Sequence, residues 1–476
     1  MIKHIVLFLA ALVLVSGVAL AQKTKQDVIN SIDSKYELYS ATAKKIWDFA
    51  EVGFQENQST ALLQETLKEA GFVIQNNVAG MPTAFTATYG SGKPIIGILG
   101  EFDALPGVSQ EAVPELKPIP TKIAGHACGH HLFGVASAAA AIAVKDWLIT
   151  NKKPGTIRFY GTPAEEGGSG KVYMVRDGLF KDVDVVIHWH PGASNSAGWG
   201  ASLSNKSGKF RFYGVASHAA ASPERGRSAL DGVEAMDNMV NMLREHVSDA
   251  TRIHYVITRG GEAPNVVPAF AEAYYYVRHP KPAEVKSTWE RVVRAAEGAA
   301  LGTDTKMKSE VTGGVYNMLP SESLAKVMDA NLRTVGGFVY TAEEREFGMK
   351  IQQTFTGNVP KLETSNEIAS LGENESGGST DVADISWVVP TAGLRVATWV
   401  PGTAAHSWQA VAAGGTSIGF KGMMVAAKTL ALTAVDLYNS PVVIEGAWKE
   451  LRKKTGENFK YEALLGDRPP ALDYRK

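Results

Sequence analysis

Two rhythms of apolar and polar positions run along this chain. From Thr24 to Gly53 apolar residues recur at helical spacing, and from Leu62 to Gly71 they do so again, with Gly71 as the stop. Thr83–Tyr89 and Pro94–Leu99 read as strands on either side of a Gly90-Ser91-Gly92 turn. An Ala-rich helix over His131–Thr150, a strand over Thr156–Tyr160, a helix beginning over Lys171–Asp177 and a strand over Val183–Ile187 follow. Strands alternating with helices predict an α/β layer architecture.

Near Lys206 the rhythm changes. Lys209–Tyr213 alternates like a half-exposed strand, and Ser228–Val247 is a helix with Met236, Met239, Val240 and Leu243 on one stripe. Strands Arg252–Thr258 and Ala269–Val277, a helix Pro282–Ala299 and a strand Thr305–Val311 come next. The order β-α-β-β-α-β predicts a compact α+β insert of the split βαβ type. From Met318 the first rhythm returns. The layout is one α/β domain over 22–205 and 318–476, interrupted by a smaller domain over 206–317. A chain of 476 residues exceeds what one core ordinarily holds, which agrees with that division.

Residues 1–21 stand apart. Lys3 precedes an apolar run from Ile5 to Val15, and Ala19-Leu20-Ala21 offers small residues where a signal peptidase reads them. The expectation is a cleavable secretory signal with Gln22 as the first mature residue, and a periplasmic or secreted protein. The alternative, a membrane anchor, needs about 20 apolar residues, more than this run supplies. No later segment is expected to be apolar enough to span a membrane. The formal net charge is -1, and no basic stripe interrupts it, which excludes an electrostatic case for nucleic acid. Cys128 is the only cysteine, so an internal disulfide is excluded too.

Five segments carry candidate chemistry. Gly100-Glu-Phe-Asp-Ala-Leu-Pro106 follows a strand, where α/β sheets bind ligands, although an Asp such as Asp103 is also an ordinary turn residue. In Gly125-His-Ala-Cys-Gly-His-His131, Gly129 leaves the backbone room to fold Cys128 and His130 toward one point. Thiolate and imidazole are ligands for zinc-like ions, and a buried inert thiol is the plainer alternative. Thr162-Pro-Ala-Glu-Glu-Gly-Gly168 sets Glu165 beside Glu166. A cation would let one of them ligate while the other accepts a proton from water, and spacing leaves open which does which. Ile187-His-Trp-His-Pro191 and Gly402-Thr-Ala-Ala-His406-Ser407 add imidazoles. One thiolate with several imidazoles and carboxylates fits two divalent ions about 3.5–4 Å apart. The chain has no Gly-x-Ser-x-Gly elbow, P-loop or dinucleotide fingerprint. Cys128 acting as a nucleophile with His130 as base would leave the paired glutamates without a role.

In these residues the chain resembles the aminoacylase and carboxypeptidase family of metallopeptidases, in its amidohydrolase branch. Asp-Ala-Leu-Pro, Cys-Gly-His, Pro-Ala-Glu-Glu-Gly, His-x-x-Pro and a late His run in order from Gly100 to Ser407. The resemblance implies a zinc-peptidase-like catalytic domain with an inserted lid and dimerisation domain, and two divalent metal ions, manganese or zinc. It implies Cys128, His130, Glu166, His188 and His406 as metal ligands, Glu165 as the base, and Asp103 as a residue that orients a ligand. It implies that His218 of the insert reaches the partner's site in a homodimer, and that Asn265 and Arg278 lie near a substrate carboxylate. The implied reaction is cleavage of the amide of an N-acyl amino acid, with p-aminobenzoyl-glutamate as the leading substrate. A general N-acyl amino acid amidohydrolase or dipeptidase, a non-catalytic metal- or peptide-binding relative, and a chain that needs a different partner are the alternatives. His126, His131 and His190 receive no implied role and read as structural. Two positions depart from the pattern, His131 where the branch often has an acid and Glu101 where the wider family often has a histidine.

Overall fold

A computed structural model describes residues 25–198, 200–372 and 378–475 of the protein. The expected secretory signal lies outside the described residues. Among them, seven strands form the larger sheet, in the order Val73–Asn76, Phe85–Ser91, Gly155–Gly161, Ile95–Gly100, Val185–Gly192, Thr391–Ala397 and Ser196–Gly198. The four strands from Gly155–Gly161 to Thr391–Ala397 are parallel, and the outer pairs are antiparallel. Central parallel strands are covered on both faces, which is why Ile96-Gly-Ile-Leu99 and Val185-Val-Ile187 are continuous apolar runs. The α/β expectation is borne out.

Helices His130–Thr150 and Ser417–Asn439 pack against each other and against these strands. Both are long and apolar enough to cross a membrane, which corrects the expectation that no later segment would be. Each is 83% buried over its apolar window. A helix that is apolar all round belongs to a core, and alanines 138–141 bring its neighbours close. The expected helix over Thr24–Gly53 is two helices, residues 25–33 and Tyr36–Phe49. At the break the Ser34 hydroxyl donates to Ser31 O, the local bond by which serine competes with a helix.

The second sheet has four antiparallel strands, Arg252–Arg259, Phe270–His279, Ser204–Tyr213 and Lys306–Val315. Helices Ala229–Leu243 and Pro282–Gly302 cover one face, around Phe210, Phe212, Tyr275 and Trp289. Met236, Val240 and Leu243 of the stripe are buried there, whereas Met239 is exposed. The chain order is the β-α-β-β-α-β expected.

Strand Val185–Gly192 continues five residues past Ile187, in parallel register with Thr391–Ala397. His188 therefore faces Gly393 and His190 faces Arg395 across the pair. Side chains alternate along a strand, so His188 and His190 share one side of the sheet. Trp189 points the other way, fully buried, and its indole N–H donates to Phe133 O.

Candidate metal centre

The carboxyl ends of the parallel strands deliver most of the site. Glu101 and Asp103 follow Ile95–Gly100, Glu165 and Glu166 follow Gly155–Gly161, His190 lies near the end of Val185–Gly192, and His406 follows Thr391–Ala397. Cys128 and His130 come from the loop that opens helix His130–Thr150. Gly129 between them has φ 76°, and a Cβ there would sit 2.6 Å from Pro191 Cβ. Only glycine lets this loop lie flat on the His190-Pro191 step.

Three sets of ligand atoms gather, each within 4.8 Å of one another: Cys128, His130 and His190; Cys128, Glu166 and His406; His130, Glu165 and Glu166. Each set shares a residue with the others, so they form one cluster. Cys128 Sγ is 3.3 Å from His190 Nε2, and His406 Nε2 is 3.3 Å from Glu166 Oε1. His130 Nδ1 is hydrogen-bonded to Asp103 Oδ1 at 2.9 Å, which leaves Nε2 as the ligating nitrogen. His130 Nε2 and Glu166 Oε1 are buried, and neither makes an aligned hydrogen bond. Each has a charged neighbour instead, Glu101 Oε2 at 3.0 Å from His130 Nε2 and His406 Nε2 at 3.3 Å from Glu166 Oε1, and a cation held there would engage both atoms. The residues fit a pair of divalent ions, with the Cys128 thiolate common to two of the sets.

The backbone is held in uncommon conformations here. Ala164 (φ 57°), Ser169 (φ 57°) and His406 (φ 62°) are left-handed without being glycine. Non-glycine residues in that region concentrate at functional sites and persist only where their surroundings hold them. The His406 N–H donates to Ala127 O at 3.0 Å, tying the late loop to the residue before Cys128.

The titratable groups of the cluster shift one another. Burial and the neighbouring Glu166 push the Glu165 carboxyl well above its ordinary range. Hydrogen bonds to Cys128 and Glu166 raise the half-exposed His406 to about 10. Burial opposes charge on His130, but Cys128, Glu101 and Asp103 outweigh it and lift its pKa. Burial and then Arg395 hold His190 well below its ordinary value. Bound cations would take over from these protons, so occupancy weakens as pH falls.

Behind the cluster lies an ion-pair chain that the sequence did not reveal. Glu101 Oε2 is 3.0 Å from His130 Nε2, Glu101 Oε1 is 2.7 Å from Lys171 Nζ, and Lys171 Nζ is 2.7 Å from Asp381 Oδ1. All four side chains are fully buried. The one sequence signal was Glu101, two residues before Asp103 on the same strand exit.

His188 is not gathered into the cluster. Its Nε2 is buried without a partner, and its ring lies over Gly393, where a Cβ would come within 2.4 Å of that nitrogen. Burial and then Lys171 push its pKa down to about 3. His190, expected to be structural, stands at Cys128 instead. The reason is the length of the strand, which carries His190 one pleat further toward the loops. His126 and His131 bond the carbonyls of Ile46 and Gly414. His218 is exposed, and its Nδ1 accepts from the N–H groups of Ala220 and Ala221. Asn265 lies alongside, its carbonyl accepting from the Ala219 N–H. Arg278 stacks on Tyr276 at 5.5 Å on the insert sheet. These three belong to the insert and are not among the clustered ligand residues.

Residues 202–304 match the family model described as a peptidase dimerisation domain. The chain is 40% identical over 464 residues to one of the subunits of p-aminobenzoyl-glutamate hydrolase from Escherichia coli (strain K12), covering 91% of this chain and 96% of that one. It is 30% identical over 458 residues to the Xaa-Arg dipeptidase of Mus musculus, covering 93% and 95%. Among solved structures, the aminobenzoyl-glutamate utilization protein from Klebsiella pneumoniae superposes with a TM-score of 0.62 at 18% identity, covering 85% of this chain and 97% of that one. The Bacillus subtilis YXEP protein, described as a dinuclear metal binding peptidase from the M20 family, gives 0.58 at 17% identity, covering 86% and 99%.

Proposed function

This chain belongs to the M20 peptidase family, and from that premise we propose a two-metal amidohydrolase that cleaves an aromatic acyl-glutamate. The leading substrate is p-aminobenzoyl-glutamate, with p-aminobenzoate and glutamate as products. The observation that carries the reading is the sharing of Cys128 between two adjoining ligand sets.

In this reading Cys128, His130, His190, Glu166 and His406 hold the metals, with His190 in the role first given to His188. Cations bound there supply Lewis acidity to the scissile carbonyl and lower the pKa of attacking water. Glu165 accepts the water proton and passes it to the leaving nitrogen. Asp103 holds His130 Nδ1, which keeps Nε2 aimed at the centre. His218, Asn265 and Arg278 of the insert act on the substrate carboxylate and the oxyanion, His218 across a homodimer. A hetero-partner is the alternative assembly, since the Escherichia coli relative is by its name one subunit of its enzyme. The thiolate favours zinc and the carboxylates admit manganese. Export through the segment 1–21 completes the proposal.

The test is a panel of p-aminobenzoyl-glutamate, hippurate and Xaa-Arg dipeptides with metal-loaded protein. Fastest turnover of p-aminobenzoyl-glutamate is expected, and faster cleavage of Arg dipeptides overturns the substrate. Glu165→Gln should lose about 10²–10⁴-fold in kcat with metal retained, as removal of a general base does. Unimpaired turnover removes Glu165 from that role.

A further inference from the structure

Glu165 and Glu166 sit on a short loop with little support of its own. Glu166 and Gly167 leave helical geometry, and the flanking Ala164 and Ser169 are left-handed. The Gly168 N–H donates to Ala164 O across it. The loop is pinned from outside, at both ends of one residue. The Glu166 N–H donates to Asp103 Oδ2 at 2.9 Å. Its carbonyl accepts twice, from Tyr474 Oη at 3.0 Å and from Arg475 Nη2 at 2.8 Å.

These two donors belong to an irregular, turn-rich strap over 464–475. Leu464 is buried in the insert's core, and Arg468 reaches Val311 O and, at 3.4 Å, Glu310 Oε1 on the insert's edge strand. Arg176 grips Arg468 O at 2.7 Å, and Gln55 Nε2 donates to Leu472 O at 2.9 Å. The Tyr474 ring packs edge-on against Phe54 at 5.6 Å. The strap therefore runs from the insert to the glutamate loop, fastened along its length.

We propose that this strap positions the metal centre, with Tyr474 and Arg475 as positioning residues that fix the Glu165 and Glu166 carboxylates through the Glu166 carbonyl. A misplacement of about 1 Å at reacting groups costs on the order of 10²-fold, so a carbonyl freed on that side is felt in the chemistry. The inference rests on the two-metal reading of this same cluster.

The experiment compares the full chain with Tyr474→Phe, Arg475→Gln and the double variant. Four quantities are read: metal retained against a chelator, kcat and KM on the preferred amide, and melting temperature. Tyr474→Phe keeps the ring on Phe54 and removes only the hydroxyl. The double variant should hold metal and turn over about 10–100-fold less well, the usual cost of losing a group that orients a ligand. KM should stay within about threefold, because the substrate contacts remain. Arg475→Lys, which keeps a donor, should recover part of the loss. If the double variant fails to fold, Tyr474→Phe and Arg475→Gln singly carry the same test at smaller size. Folded variants that match the wild type in metal retention and kcat, or that lose only melting temperature, overturn the inference alone. A wild type that binds no metal overturns the functional reading and the inference with it.

Discussion

Asp103 shows how much one buried carboxylate organises. One oxygen orients His130 and the other holds the Glu166 N–H, so two ligands from different strand ends are set by a single side chain. Those bonds hold its carboxyl below the usual range although burial works the other way. Asp384 is the opposite case. Burial raises it to about 8, while Tyr461 Oη and the Tyr316 N–H donate to its oxygens at 2.6 and 3.0 Å. The folded chain then keeps a proton that the unfolded chain releases near pH 4. That contribution is full below about pH 4 and disappears as pH rises through about 8. Asp384→Asn is neutral throughout, so its melting temperature should gain on the wild type between pH 5 and pH 8. Parallel melting curves across that range would show that Asp384 is already ionised in the fold. Neither Asp384 nor the Glu101–Lys171–Asp381 chain could be read from the sequence. Lys171 and Asp381 stand 210 residues apart and meet only because the α/β core brings the first turn of helix Gly170–Arg176 beside the start of helix Val382–Ser386.

At the scale of elements, strand Val185–Gly192 decides which histidine meets the thiolate. The sequence offers His188-Trp189-His190, and the family resemblance assigned the ligand role to His188. Period-two alternation cannot separate two residues on the same side; only the strand's end point against the Gly125–His131 loop does. The five motifs and the strand exits that carry them were legible, because strand-then-loop punctuation is local. The choice between neighbours was not, because it depends on how far one strand runs. His190→Ala is expected to lower bound metal from about two to about one per chain, as a ligand removed from a two-metal site does. His188→Ala should leave the ratio near two. The reverse pattern, followed by metal analysis of both purified variants, would restore His188 as the ligand.

For the whole molecule, the alternation of strands and helices and its interruption near Lys206 were legible in the order of elements alone. The packing of helices His130–Thr150 and Ser417–Asn439 was not, since composition cannot separate a core helix from a spanning one. The strap was invisible for a similar reason, being irregular chain whose role comes from the Glu166 carbonyl, which Tyr474 and Arg475 meet 308 and 309 positions on. What emerges is an α/β domain that gathers a thiolate, imidazoles and carboxylates at its strand ends, with an insert beside it and a strap between them. The central claim is that this cluster binds two ions through a shared Cys128. The most direct measurement is the metal-to-protein ratio of protein purified without chelator, for the wild type and Cys128→Ser. About two ions per chain in the wild type, and a marked loss of both in the variant, are expected from a ligand common to both sets. A wild type holding one ion or none, or a variant that keeps two, would contradict it.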